Sequence, residues 1–159
     1  MTNETYEEWK KRKLEEQKRK THGAEEVQDD GLYFLKAAIN RICFNRALRY
    51  IRLYFIPPDL AAEHPDAVAL YGYNTIMISK LFFEEHGLDD AVVTAMYHEM
   101  VHAYCDAKQI MDTKDEKHLK AFADACVANG GICEYAGPVD GFSDARLTPE
   151  NLAKVRAEL

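Results

Sequence analysis

The sequence predicts an α+β fold in which a small, mostly antiparallel sheet packs on helices. Three observations carry that prediction. Apolar residues between 32 and 42 recur at three- and four-residue steps, the period of a helix face. Three short segments between 51 and 79 read as strands, with Pro and Gly breaking them. Two more segments of helical period follow, between 91 and 129.

Composition sets the bounds. The chain has 159 residues, 47% hydrophobic and 30% charged, which suits one domain with a core of its own. Lys and Arg number 20 against 27 Asp and Glu, a formal charge of −7. That balance argues against a surface built as a whole to grip nucleic acid or anionic lipid. No apolar run reaches the length of a membrane span, so no membrane partner is expected. The start, Met1-Thr2-Asn3-Glu4, leads into charge and does not read as a secretory leader. The four cysteines, Cys43, Cys105, Cys126 and Cys133, form no C-x-x-C pair. They read as reduced thiols in a cytoplasmic protein.

The elements follow in order. Residues 4–20 are mostly charged, with Tyr6, Trp9 and Leu14 as their apolar surface, and predict a solvated helical arm. Its Lys10–Lys13 and Lys18–Lys20 clusters offer a weak contact for nucleic acid or another acidic partner. Residues 21–30 read as a linker, so the division expected is an arm over 1–30 and a folded domain over 31–159. Leu32, Leu35, Ala38, Ile39 and Ile42 mark the first core helix. Ile51–Ile56 alternates as a strand stopped by Pro57-Pro58. Ala67–Tyr71 and Thr75–Ser79 form two more strands, joined tightly through Gly72-Tyr73-Asn74. Asp89 or Asp90 caps a helix over 91–107. Thr113-x-x-Glu116 has capping-box spacing for a helix over 114–129, with Leu119, Phe122, Ala123, Cys126 and Val127 on one face. That helix ends at Asn129-Gly130-Gly131. Thr148-Pro149 starts a short last helix.

The chemistry lies in His98-Glu99-Met100-Val101-His102, an H-E-x-x-H motif inside a predicted helix. At this composition roughly 0.02 such matches are expected by chance. His98 and His102 stand one turn apart on one face, so both imidazoles can reach one Zn²⁺ ion. Glu99 points off that axis and suits a general base acting on water. Zinc hydrolases usually draw three ligands from the protein. His118 fits the third place if the 114–129 helix folds back across the first, with Phe122 beneath it. Asp106, Asp112, Asp115 and Glu116 are the other candidates. Asp106, one turn past His102, also suits a carboxylate that holds a ligand imidazole. His22, His64 and His86 read as solvent-exposed.

Several stretches together resemble the SprT-like metallopeptidase domain, the family of Spartan-type DNA–protein crosslink proteases. They are Ile39-Asn40-x-x-Cys43-Phe44, Ile76-Met77-Ile78-Ser79, Met96-Tyr97-His98-Glu99-Met100-Val101-His102-Ala103 and His118-x-x-x-Phe122. The likeness covers roughly residues 35–135. It implies a zincin-like fold and a zinc-dependent endopeptidase acting on protein or peptide substrates. It further implies His98, His102 and His118 as ligands to one Zn²⁺ and Glu99 as the catalytic base. The chain departs from the family where Leu119, not Gly, follows His118, and it has no paired cysteines for the family's C-terminal zinc ribbon. Tyr97, Tyr104 and Tyr135 are candidate donors to an oxyanion. Thr75–Ser79 is the candidate sheet edge for an extended substrate. The competing expectation is a catalytically inactive binding module stapled by zinc, which needs a fourth protein ligand and no base.

Overall fold

A computed structural model of the chain describes residues 4–159, except 49, 73, 116, 136, 138 and 141–144. In chain order the elements begin with α1 (Tyr6–Lys20), α2 (Asp30–Cys43), β1 (Arg52–Phe55), α3 (Pro58–Glu63), β2 (Ala69–Gly72), β3 (Thr75–Ile78) and α4 (Lys80–His86). They continue with α5 (Asp90–Ala107), β4 (Thr113–Lys114), β5 (Lys117–His118) and α6 (Lys120–Ala128). The last are β6 (Gly131–Ile132), β7 (Val139–Asp140), β8 (Arg146–Leu147) and α7 (Pro149–Ala157). The architecture is α+β. No described helix is long and apolar enough to cross a membrane.

The core is organised around α5. Asp89 caps it, its side chain accepting the Val92 N–H at 3.0 Å. Val92, Met96 and Met100 form one fully buried row at four-residue steps, and Val93, Tyr97 and Val101 form the next. Burying each such side chain is worth about 1.5–3 kcal/mol, so this face fixes how α5 sits. Leu32, Leu35 and Ile39 of α2 and Ile76 and Ile78 of β3 belong to the same core. Asn40 clamps the turn after α2, donating to the Leu48 carbonyl at 2.6 Å and accepting its N–H at 3.1 Å.

The main sheet has the order β1-β3-β2. β3 runs parallel to β1 and antiparallel to β2, so this sheet is mixed rather than mostly antiparallel. Register pairs Gly72 with Thr75, so the strands are joined tightly as expected, but Gly72 belongs to β2 rather than to the connection. Asn74 takes a left-handed φ of 54° in it, and Tyr73 lies outside the described residues. Residues 75–79 are not a sheet edge. β3 lies between two partners with all four residues buried, and among the described residues the free edge belongs to β2.

Two expectations about the N-terminal region need correction. The folded body does not begin at residue 31. Val27 is buried in the core, its N–H donates to the Leu53 carbonyl at 3.0 Å, and the Phe55 N–H donates to the Glu25 carbonyl at 2.8 Å. The supposed linker therefore completes the outer edge of β1. Nor is α1 a solvated arm: Trp9 is 5% exposed. Lys10 and Lys13 line a half-open cavity, and Arg12 donates twice to Glu4 at 2.9 Å.

The helix expected over 114–129 starts only at Lys120, with Leu119 at its N-cap. β4 and β5 instead pair antiparallel, Thr113 with His118 and Lys114 with Lys117. β7 pairs with the other side of β5, placing Val139 opposite His118. That distant partner occupies the backbone groups a first helical turn would use. Phe122, Ala123 and Cys126 face the core as expected, but Val127 lies off that face and is 61% exposed. At the helix end, a Cβ on Gly131 would overlap the Tyr97 hydroxyl. That hydroxyl donates to the carbonyls of Cys126 and Asn129. α7 starts as expected, Thr148 accepting the Asn151 N–H at 3.2 Å with Pro149 in the first turn.

Candidate metal centre

The period of α5 puts His98 and His102 on one side and the buried apolar rows on the other. Their ring centroids are 5.2 Å apart. His118 reaches them from β5, a strand rather than the helix expected to carry it. Its ring lies 5.2 Å from that of His98 and 5.0 Å from that of His102. One nitrogen from each of the three rings falls within 4.8 Å of the others. The Nε2 atoms of His102 and His118 are 3.1 Å apart. Phe122 supports the group from below, its ring 5.0, 4.4 and 4.6 Å from those of His98, His102 and His118.

Burial tunes these rings. His98 is held well below the usual imidazole range, first by desolvation and then by the neighbouring imidazoles. It is therefore neutral near pH 7, the form that binds a metal. His102 is also pulled down by burial. The Asp112 carboxylate, by charge and hydrogen bond, and the charge of Glu99 outweigh that and raise it overall. Asp112 Oδ2 lies 2.6 Å from His102 Nδ1, and its residue is 4% exposed. A carboxylate accepting the Nδ1 hydrogen leaves the Nε2 lone pair facing His118.

Asp106 does not hold an imidazole. Its carboxylate accepts the Tyr71 hydroxyl at 2.9 Å, and its carbonyl accepts the Tyr6 hydroxyl at 3.2 Å. Asp112 does what the spacing suggested for Asp106, because the loop after α5 turns back beside His102. Asp115 sits in the exposed hairpin turn with φ 52°, and Glu116 lies outside the described residues. Changing Asp112 to Asn is expected to weaken metal binding about 10- to 100-fold, measured by chelator competition. Unchanged affinity would mean that His102 does not need this carboxylate.

Glu99 is buried but lines a cavity of about 620 Å³ together with His102, Asp112 and His118. Desolvation is the main influence on its carboxyl. The charge of His102 lowers its pKa, that of Asp112 raises it, and the net result is a group pushed up to about 7. A carboxyl poised there can both take and release a proton near neutral pH.

The candidate oxyanion donors are not at this site. Tyr97 is committed to backbone carbonyls, Tyr104 packs against Phe44 at 5.9 Å, and Tyr135 is 40% exposed. Among the described residues lining the cavity, the tyrosine is Tyr71, which local sequence marks only as a strand residue. Trp9, Lys10, Lys13, Glu16 and Gln17 of α1 also line it, and nothing in their charged run marks them for that place. His64 reaches the cavity as well, while His86 stacks on Phe82 at 4.1 Å.

Fold and site together define a protein of α+β architecture with a three-histidine group able to hold a metal ion. Compared with models of known families, with curated proteins and with solved structures, the chain matches none.

Proposed function

We propose that the chain is a zinc-dependent metallopeptidase with a zincin-like fold, of the SprT-like kind its motifs resemble. One observation carries the reading: the three imidazoles converge beside a buried glutamate at the wall of a cavity. The donor set fits zinc. Zn–N bonds of about 2.0–2.1 Å in tetrahedral geometry place two ligand nitrogens about 3.3 Å apart. The observed separation of the His102 and His118 Nε2 atoms is 3.1 Å. His98, His102 and His118 would hold the ion. When bound, zinc supplies Lewis acidity toward water and a carbonyl oxygen.

The chain's own residues supply the remainder. Glu99 receives the proton of the attacking water and passes it to the departing amine nitrogen. Asp112 keeps His102 in one tautomer, and Phe122 holds the three rings together. β2 offers a strand edge to the backbone of a protein or peptide substrate, a mode that tolerates many sequences. The four cysteines are free thiols, which supports a reducing compartment such as the cytoplasm.

A closed structural zinc site needs a fourth protein ligand. Among the described residues, only the three histidines group at ligand distance, and Asp106 is taken up by tyrosines. The test is cleavage of a denatured polypeptide by the protein loaded with one equivalent of zinc. Activity should vanish with chelator and return with zinc. A protein that holds stoichiometric zinc yet cleaves no such substrate would overturn the peptidase reading.

A further inference from the structure

α1 lies across the cavity from the metal-binding histidines. Trp9 is buried in its wall. Gln17 packs on Gly72 of β2 and donates from Nε2 to Thr75 Oγ1 at 3.1 Å. At the other end of the helix, the Tyr6 hydroxyl reaches Asp106 of α5. The free edge of the sheet is β2, and Leu70–Gly72 line this same cavity. An extended polypeptide that adds to β2 must therefore enter the space walled by α1.

The helix is built to leave. Of its described side chains Trp9 is the one that is buried, and the Trp9 indole N–H, removed from water, has no acceptor among the described residues. A buried donor without a partner weakens the docking it belongs to. The chain turns at Thr21–Ala24, where Gly23 has φ +76° and open space around it. Immediately beyond, Glu25 and Val27 are fastened to β1. A glycine in open space between a helix seated through Trp9, Tyr6 and Gln17 and an anchored strand makes a hinge about which the helix can swing as a unit.

We propose that α1 is a displaceable cover that occludes the β2 edge of the metal cleft and swings out on the Gly23 hinge when polypeptide substrate binds. The inference rests on the peptidase reading of the site.

A disulfide can lock the cover. A Cβ at position 72 would lie 3.5 Å from Gln17 Cβ, within the range for cystine. Full-length Gln17→Cys/Gly72→Cys, loaded with zinc and oxidised, should cleave a denatured polypeptide at least about tenfold less efficiently than when reduced. Wild type carried through the same oxidation controls for the native thiols. The opposite variant, Tyr6→Phe/Gln17→Ala, should raise kcat/KM about three- to tenfold through the loss of two hydrogen bonds that hold the helix. It should also increase acrylamide quenching of Trp9, the chain's single tryptophan. Equal cleavage by the cross-linked and reduced forms, or a loosened variant with unchanged activity and quenching, overturns the cover while leaving the peptidase reading intact. If no form cleaves, the peptidase reading fails, and Trp9 quenching decides about the helix. More quenching unlocked than locked supports a mobile cover, and equal quenching overturns it.

Discussion

Replacing Glu99 with Gln should lower turnover of a denatured polypeptide about 10²- to 10⁴-fold while leaving one equivalent of zinc bound. The substitution keeps side-chain volume and removes the capacity to accept a proton. Glu99 lies between His98 and His102 in sequence but is not among the residues whose ligand atoms group together. Metal content should therefore hold, and so should stability, because a buried carboxyl that needs desolvation is exchanged for a neutral amide. The measurement pairs zinc stoichiometry with single-turnover cleavage. Undiminished cleavage with zinc in place would remove Glu99 from the reaction and with it the assignment of the base.

The second large effect concerns the third ligand. His118→Ala should lower zinc affinity by more than about a hundredfold, since losing an outer partner alone costs about 10- to 100-fold. The loss has a thermal counterpart. A ligand present at about a hundred times its dissociation constant stabilises the folded state by about 2.7 kcal/mol. Wild type should gain melting temperature on adding zinc, and His118→Ala should not gain it at the same concentration. Full affinity in the variant would show that His98 and His102 bind zinc without the strand-borne residue. Because Phe122 stays beneath the other two rings, the loss reads on the ligand rather than on collapse of the core.

The candidate centre was legible to different depths. The pair on α5 could be read directly, because helical period alone puts residues 98 and 102 on one face, and the Asp89 cap and the buried apolar rows confirm that period. His118 was reached by the right residue but the wrong element. A capping-box pattern at Thr113 suggested helix, and the strand partner that overrides it, Val139, is far along the chain. Spacing offers Asp112 as a candidate ligand, yet its carboxylate bonds to His102 Nδ1 instead. Its role depends on how the loop between α5 and β4 turns, which no spacing encodes. The same holds for β3, whose strand pattern was plain but whose central place depended on which strands flank it.

The N-terminal region shows the limit most clearly. By composition, residues 4–20 are a solvated helix, and a solvated helix is what charge patterning ordinarily means. Yet Trp9, Gln17 and Tyr6 seat it on the cleft. Local sequence by itself determined the α+β class, the α5 helix with its paired histidines, the three strands of the main sheet and the capped last helix, because these follow from periodicity and caps within a few residues. Only the tertiary structure decided that a strand delivers the third imidazole, that Asp112 steadies His102 and that α1 walls the cavity. Those are contacts between segments far apart in the chain, chosen by burial and backbone pairing that only the assembled core can supply.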